Sequence, residues 1–220
     1  AWNIGSVGPR NINAHLERWL TREFGQEIGA KLAPIMVEYY RLVSMRRPEF
    51  MGWSQVELSD KERYPGGISP VSDTEFSFSE FGGEAQRYVD ALGALADEVD
   101  ALLVQIPERS RDAYFASVAY PVSASCAMAE KMLYAQKARQ RVRTTYAPGV
   151  WATDSTMMAA AARSQLAYWK LKGLTRHYNE YMAGGKWRGL MCDAPRDLPV
   201  FRAPVLPVML TEEESKEWAK

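Results

Sequence analysis

The sequence contains few of the residues on which metal sites and nucleophilic catalysis depend. Its 220 residues include only two cysteines and two histidines. His15 and His177 lie in neither an HExxH nor an ExxH pattern, so the helical zinc and di-iron sites that use those spacings are excluded. Cys126 and Cys192 are far apart in sequence, and both a disulfide and two separate thiols stay open for them. We predict no metal and no cofactor.

A surplus of one charge and long apolar runs are also missing. Lys+Arg and Asp+Glu both number 27, and the formal net charge is zero. This balance argues against a nucleic-acid or membrane partner, because a polyanionic surface calls for a basic surplus. No run approaches the roughly 20 apolar residues that cross a bilayer. No signal peptide is visible, but the chain begins at Ala1 without a Met, so we expect a processed or cut start and the export route stays open.

Apolar residues recur at helical spacing along most of the chain. This periodicity predicts five long helices, over about 13–24, 26–46, 83–106, 110–142 and 154–182. Pro34 lies inside the second of them and Pro121 inside the fourth, where each should bend its helix. Short connections between long amphipathic helices are typical of an antiparallel bundle, so we predict an all-α fold.

Two stretches depart from the helical pattern. Residues 48–82 form a long irregular loop that is rich in aromatic residues, and such loops usually pack on something. A Pro-rich segment follows the fifth helix, with one short helix expected from about 212. We therefore expect a helical bundle domain over 1–187 and an irregular tail over 188–220 that leads to a following domain.

The clearest local signal ends the fifth helix. Gly184-Gly185 interrupts the apolar pattern, and glycine readily takes the left-handed conformation that terminates a helix. Lys186-Trp187 follows at once. An aromatic side chain placed directly after a helix end is a candidate for contact with another surface.

Several residues could carry chemistry, although a structural role is favoured for each. Glycoside hydrolysis needs two carboxyl groups on either side of the scissile bond. Glu75, Glu80 and Glu84 are available, but no neighbouring sequence would tune their pKa values, so solvated or capping roles are favoured. His177 could act as a general base, but no serine or cysteine nucleophile has a recognisable context.

Aromatic and basic residues allow a carbohydrate role. The aromatic residues of 50–81, with Trp151 and Trp187, could stack on sugar rings, although packing against a neighbouring domain is favoured. The fourth predicted helix has a basic face that could bind uronic acids, although a solvated or salt-bridged face is favoured. Its members are Lys131, Lys137, Arg139, Arg141 and Arg143.

Four motifs in order resemble one family. They are Arg22-Glu23-Phe24-Gly25; Tyr39-Tyr40 with Arg46-Arg47-Pro48-Glu49; Arg111-Asp112-Ala113-Tyr114-Phe115 with Tyr120-Pro121-Val122; and Tyr178-Asn179 with Gly184-Gly185-Lys186-Trp187 and Met191. Over residues 15–201 their order and spacing are similar to the helical region that follows the catalytic barrel in glycoside hydrolase family 115, the xylan α-1,2-glucuronidases. The chain departs from the family at Cys192, where a second Met is usual, and in a Pro-Gly-Gly insertion within 48–82.

The resemblance implies a non-catalytic helical module of a larger enzyme that hydrolyses α-1,2-linked (4-O-methyl)glucuronic acid from xylan. A (β/α)8 barrel would precede the module and a β-sandwich would follow it. The barrel's motifs are absent here, so no catalytic residue is carried over, and the module alone is expected to be inactive. It would brace the barrel, with Trp53, Trp187, Arg188 and Met191 as interdomain or substrate-rim contacts.

The same resemblance implies further properties of the parent enzyme. Its substrate would be glucuronoxylan, a homodimer is a further expected assembly, and its location would be periplasmic or extracellular. Because an excised domain uncovers its former interfaces, exposed apolar patches are expected at Trp2, Trp53, Trp187 and the 195–210 segment.

Two alternatives stay open. A free-standing helical protein-interaction domain without enzymatic activity would have a well-covered surface. An autonomous small enzyme would depend on His177.

Overall fold

The computed structural model describes residues 9–46, 74–145, 154–195, 199–208 and 210–220. No residue in these ranges forms a β-strand, and this confirms the predicted all-α class. None of the helices in the described ranges has the length and apolar character of a membrane span. The α-helices are α1 (Pro9–Phe24), α2 (Gln26–Met45), α3 (Glu84–Leu102), α4 (Arg111–Tyr114), α5 (Tyr120–Thr145), α6 (Ser155–Arg176) and α7 (Glu212–Trp218).

The chain divides into two compact units. The first takes its described residues from Ala1–Met45 and Asp90–Ser123, and the second takes them from Arg46–Val89 and Ala124–Lys220. Helices α3 and α5 therefore contribute residues to both units. The predicted bundle domain over 1–187 and the irregular tail over 188–220 stay predictions.

In the first unit, α1 and α2 form a hairpin with a one-residue connection. Gly25 makes that connection at φ +90°, a conformation that costs glycine little. A Cβ atom on Gly29 would lie 2.4 Å from the Cα atom of Thr21, so only glycine lets the two backbones approach this closely. The predicted helix end at Gly25 is confirmed.

The core of the first unit is organised around Tyr114. Its side chain is fully buried, and its ring meets that of Phe24 edge-on at a centroid distance of 5.7 Å. The Tyr114 hydroxyl donates a 2.7 Å hydrogen bond to the carbonyl of Val99. Burial raises the pKa of Tyr114 above its ordinary value, so the hydroxyl is held as a donor.

A π-helical turn precedes α5 at the point where the sequence predicts a disturbance. The turn spans Phe115–Ala119 and joins α4 to α5. Pro121 has no N–H to donate to the preceding turn, and a widened turn is one way for a helical path to pass such a residue. The predicted helix over 110–142 is therefore a chain of α4, the π-helical turn and α5.

In the second unit, α5 is buried on nearly all sides. Residues 126–129 and 131–136 are all buried, as expected of a helix that is surrounded by other segments. Gln136 accepts hydrogen bonds from the backbone N–H and the hydroxyl of Thr74 and donates to the carbonyl of Phe76 at 2.7 Å. Residues 74–76, near the end of the predicted 48–82 loop, are thereby fastened to α5; residues 48–73 lie outside the described ranges.

The basic face predicted for this helix is divided: Arg141 is exposed and salt-bridged to Asp154, which agrees with the favoured solvated or salt-bridged role, whereas two other members are buried. Lys131 is 0% exposed and donates to the carbonyls of Val200 and Arg202. Arg139 is also buried and donates to the carbonyl of Val205 at 2.8 Å. The backbone carbonyls of this segment need hydrogen-bond donors once they are buried, and the side chains of Lys131 and Arg139 supply them. The expectation of a solvated face is wrong for both residues.

Residues 200–208 are consequently packed, since each of them is buried or partly buried. Val200 joins Met128 and Met132 in a cluster of buried residues, with Leu171 and Phe201 packed against it. The 195–210 segment was expected to be an exposed apolar patch, and its described residues contradict this.

Helix caps define the ends of α6 and α7. The Asp154 carboxylate accepts hydrogen bonds from the backbone N–H groups of Thr156 and Met157, and it also pairs with Arg141 at 2.5 Å. Asp154 and Ser155 are the two residues that the sequence offers as the N-cap of this helix, and the structure selects Asp154. Thr211 caps α7 through a capping box, and α7 packs on α6.

Candidate contact site at the end of helix α6

The helical path beyond α6 ends in a sequence of unusual turns. A π-helical turn spans His177–Tyr181 and a 3-10 turn spans Met182–Gly185. Gly184 and Gly185 have φ angles of +63° and +80°. A Cβ atom on Gly185 would lie 3.1 Å from the carbonyl oxygen of Glu180. The helix stop predicted from Gly184-Gly185 is confirmed, and the second glycine is also required by space.

One asparagine closes the segment that follows. The side-chain nitrogen of Asn179 donates to the carbonyl of Met191 at 2.7 Å, and its side-chain oxygen accepts from the N–H of the same residue at 3.1 Å. The amide thus pairs with both backbone groups of a residue twelve positions away. We call residues 179–191 the contact loop. The loop is also anchored by Met182, which is 2% exposed.

An ion pair fixes the chain just beyond the contact loop. Lys172 on α6 pairs with Asp193, and this hydrogen bond raises the pKa of Lys172 above its ordinary value. Both side chains are partly solvated, so we assign the pair a positioning role rather than a large stabilisation. The contact loop is therefore held at its two ends by α6 and its extension.

The outer surface of the contact loop is apolar and basic. Tyr181 and Leu190 are each 63% exposed, and Trp187 is 38% exposed. The Nζ atom of Lys186 lies 4.9 Å from the centroid of the Trp187 ring, within cation–π range. Arg188 is exposed as well. Exposed aromatic and aliphatic side chains on an ordered loop are features of surfaces that contact another molecule or domain.

The structure brings three of the four predicted contact residues onto this loop. Trp187 and Arg188 lie on its exposed side, whereas Met191 is partly buried and positioned by Asn179. Trp53 lies outside the described residues. The contact role of all four stays a prediction.

Two of the three carboxylates considered for catalysis have structural partners. Glu75 pairs with Arg46 at 2.8 Å, and Glu84 accepts a hydrogen bond from the backbone N–H of Ser77 at 3.1 Å. Glu80 is exposed. These contacts match the capping and surface roles favoured for them.

His177 lies in the π-helical turn with its side chain exposed. Its ring lies 5.9 Å from the ring of Tyr181, centroid to centroid. This spacing is that of an aromatic packing contact, so the imidazole lies against the Tyr181 ring on the surface of the π-helical turn.

Within the described ranges no three or more His, Cys, Asp or Glu side chains are grouped to hold a metal ion. Cys126 carries a buried thiol and Cys192 an exposed one, so the two are not joined.

Sequence reasoning missed one feature of the second unit, a pocket of about 530 Å³. Tyr134 and Lys137 line it from α5, Arg163 from α6 and Trp218 from α7. These residues come together only when the three helices pack, so no spacing in the sequence predicts the pocket.

The fold and the contact loop define an all-α protein region with an ordered aromatic surface. Residues 1–50 match the sequence model of glycosyl hydrolase family 115. The chain is also similar to a solved family 115 4-O-methyl-α-glucuronidase with specificity for decorated arabinogalactans, at 32% identity over 96% of this chain and with a TM-score of 0.69. No curated protein sequence matches the chain at a significant level. These two matches confirm the resemblance to glycoside hydrolase family 115 that the motifs indicated. It spans 24% of the length of the solved relative.

Proposed function

We propose that this chain is a non-catalytic helical module of a family 115 α-glucuronidase. One observation carries the proposal: 96% of the chain aligns with only 24% of a solved glucuronidase. An alignment of that kind is expected when a chain corresponds to one region of a larger enzyme. The structural roles of the glutamates described above agree with a catalytic centre located outside these residues.

In the proposed enzyme the module supports the barrel that performs hydrolysis. A preceding (β/α)8 barrel and a following β-sandwich are the proposed neighbours, and a homodimer is a further proposed assembly. The contact loop is the surface we assign to one of these contacts, because Tyr181, Trp187 and Leu190 expose apolar area on a segment whose backbone is fixed. The proposed location is periplasmic or extracellular.

The proposed reaction is hydrolysis of α-1,2-linked (4-O-methyl)glucuronic acid from glucuronoxylan. A second substrate is favoured by a specific observation, since the solved relative is described as specific for decorated arabinogalactans. Both substrates carry a uronic acid branch. The intact polypeptide that the gene encodes should be assayed with each polysaccharide for release of the free uronic acid. Release from neither substrate would refute the proposed activity.

The supporting role of the contact loop needs its own experiment. The change Trp187→Ala removes an aromatic surface without altering the hydrogen bonds that close the loop. In the intact polypeptide we expect it to lower the melting temperature or the uronic acid release, because it removes apolar contact area at an interface.

The matched control is Tyr40→Ala. Tyr40 lies on α2 and is 54% exposed, so this substitution removes a similar aromatic surface outside the contact loop. Equal effects of the two substitutions would contradict a special role for the contact loop.

A further inference from the structure

Residues 200–205, which we call the strap, are fastened to α5 at two points. Near the start of the strap, Lys131 donates hydrogen bonds to the backbone carbonyls of Val200 and Arg202, the second over 2.9 Å. The Val200 side chain is 2% exposed at the same place. One lysine side chain therefore holds the first residues of the strap by their backbone.

The second fastening uses a different kind of cation. Arg139, about two helical turns further along α5, donates to the carbonyl of Val205 at 2.8 Å. A guanidinium stays protonated throughout the pH range in which proteins fold, whereas a lysine ammonium gives up its proton readily once it is buried. Only the fastening at Lys131 can therefore respond to pH.

The site around Lys131 suits an amine better than an ammonium. The side chain is 0% exposed, and no carboxylate of the described residues pairs with it. The strap offers it two neutral carbonyls. Burying a charge without a counterion is costly, and a neutral amine still has two N–H groups, one for each carbonyl. The neutral form keeps both hydrogen bonds and avoids the cost.

The charged and titratable neighbours of Lys131 come from three elements. On α5, Glu130 is adjacent in sequence and points about 100° away around the helix. The strap contributes the cation Arg202, whose carbonyl is the group in contact. Helix α6 contributes Tyr168 and Lys172. The Nζ atoms of Lys131 and Lys172 lie 5.9 and 5.5 Å from the centroid of the Tyr168 ring, so a second ammonium shares its surroundings.

The two forms of Lys131 are close in free energy near neutral pH. Burial, and to a smaller degree the charge of Lys172, lower the pKa of Lys131 to about 7. Lys172 is itself paired with Asp193, which agrees with its smaller contribution. When the strap opens, water reaches the Lys131 ammonium and its pKa returns toward that of an ordinary lysine. Protonation therefore favours the open strap.

We propose that the strap is a proton-controlled latch on α5. With Lys131 neutral, the first residues of the strap stay bound. With Lys131 protonated, they open more often, because opening returns the charge to water, while Arg139 keeps the far end attached. The inference goes beyond the proposed function, because it concerns how one segment is held and needs no hydrolytic activity.

Trypsin cleavage after Arg202 tests the latch in the intact polypeptide. Arg202 is partly buried and its carbonyl is bonded to Lys131, so the protease reaches this peptide bond when the strap opens. The rate at pH 7 and at pH 9 is divided by that of a free peptide of residues 199–208, which removes the pH dependence of trypsin itself. The normalised rate then follows the population of open strap.

The expected change follows from proton linkage at Lys131. The normalised rate should fall by about 10- to 30-fold between pH 7 and pH 9, because the closed strap is favoured once Lys131 is neutral. Equal normalised rates at the two pH values would overturn the proposal. This comparison uses the unaltered polypeptide, so it decides the matter even if a variant of Lys131 fails to fold.

Two substitutions separate the two fastenings. Lys131→Met removes the titrating group and keeps much of the side-chain volume, so its normalised rate should be equal at the two pH values. The matched control is Arg139→Gln on the same helix, which should speed cleavage at both pH values and keep their ratio. A pH dependence that persists in Lys131→Met, or that disappears in Arg139→Gln, would overturn the assignment to Lys131.

A second cleavage site distinguishes opening of the strap from unfolding of the whole unit. Lys170 is exposed within α6, and cleavage after it requires the helix to unfold. Normalised to its own free peptide, cleavage after Lys170 should be at least about tenfold slower than cleavage after Arg202 at pH 7. Equal normalised rates at the two sites would overturn the latch, because the pH response would then belong to unfolding of the unit.

Discussion

Lys131 offers the strongest test of how the second unit is packed. The residue is fully buried on α5, and burial lowers the pKa of its ammonium from 10.5 to about 7, with the charge of Lys172 as a smaller cause. The unfolded chain therefore binds this proton more tightly than the folded chain. Because the unfolded state holds more protons between these two values, the free energy of unfolding should rise with pH from about 7 to 10.5.

The magnitude follows from the same two pKa values. Between pH 7 and 9 the unfolded lysine stays almost fully protonated while the folded one loses its remaining half proton. Integrating that difference gives a gain of about 2 kcal/mol over the interval. The substitution Lys131→Met keeps much of the side-chain volume and removes the titrating group, so the gain should disappear in this variant.

The assay is urea denaturation at pH 7 and pH 9, followed by tryptophan fluorescence, with each variant compared with the unaltered chain. The control is Lys170→Met, which replaces an exposed lysine on α6 and should leave the pH dependence unchanged. If Lys131→Met keeps the full rise in stability between pH 7 and 9, the burial of Lys131 and the packing of the 199–208 segment over it are refuted.

Two further predictions concern the contact loop. Asn179→Ala removes both hydrogen bonds that close the loop, so it should lower the free energy of unfolding by about 1–3 kcal/mol and speed amide exchange within 180–190. The control Asn13→Ala, on the exposed side of α1, should change neither quantity. Equal exchange in the two variants would contradict the closing role. Gly185→Ala should lower the melting temperature, because the residue has a φ angle of +80° and an added Cβ would crowd the Glu180 carbonyl. Gly173→Ala should instead raise the free energy of unfolding by about 0.5–1 kcal/mol, because Gly173 lies within α6 and an added Cβ would meet no neighbouring side chain or segment within 4 Å. The same sign of change for both glycines would refute the conformational argument.

The predictable part of the fold depended on local signals. Helical periodicity located the helices, Gly25 and Gly184-Gly185 marked where two of them stop, and Asp154 was recognisable as a cap. Each of these rests on interactions within a few residues, which a sequence displays directly. Pro121 likewise predicted a bend in the fourth helix, but the sequence did not show that a π-helical turn would form there.

The unpredicted part depended on contacts between distant segments. Lys131 and Arg139 have the composition of a solvated face, and only the carbonyls of a segment some 70 positions later explain their burial. The closing contact between Asn179 and Met191 could not be predicted either, because the sequence around an Asn residue does not indicate a hydrogen-bond partner twelve positions away. The pocket lined by Arg163 and Trp218 combines three helices and had no sequence signal at all.

We propose above that the 220-residue chain supports a glucuronidase without itself hydrolysing the substrate. The most direct test compares the 220-residue chain with the intact polypeptide that its gene encodes, at equal concentration on glucuronoxylan, by measuring released uronic acid. We expect release by the intact polypeptide and none by the 220-residue chain. Release by the 220-residue chain alone would contradict it and direct attention to His177 and to Glu75, Glu80 and Glu84. Absence of release from both would contradict the enzymatic assignment and favour a helical protein-interaction domain.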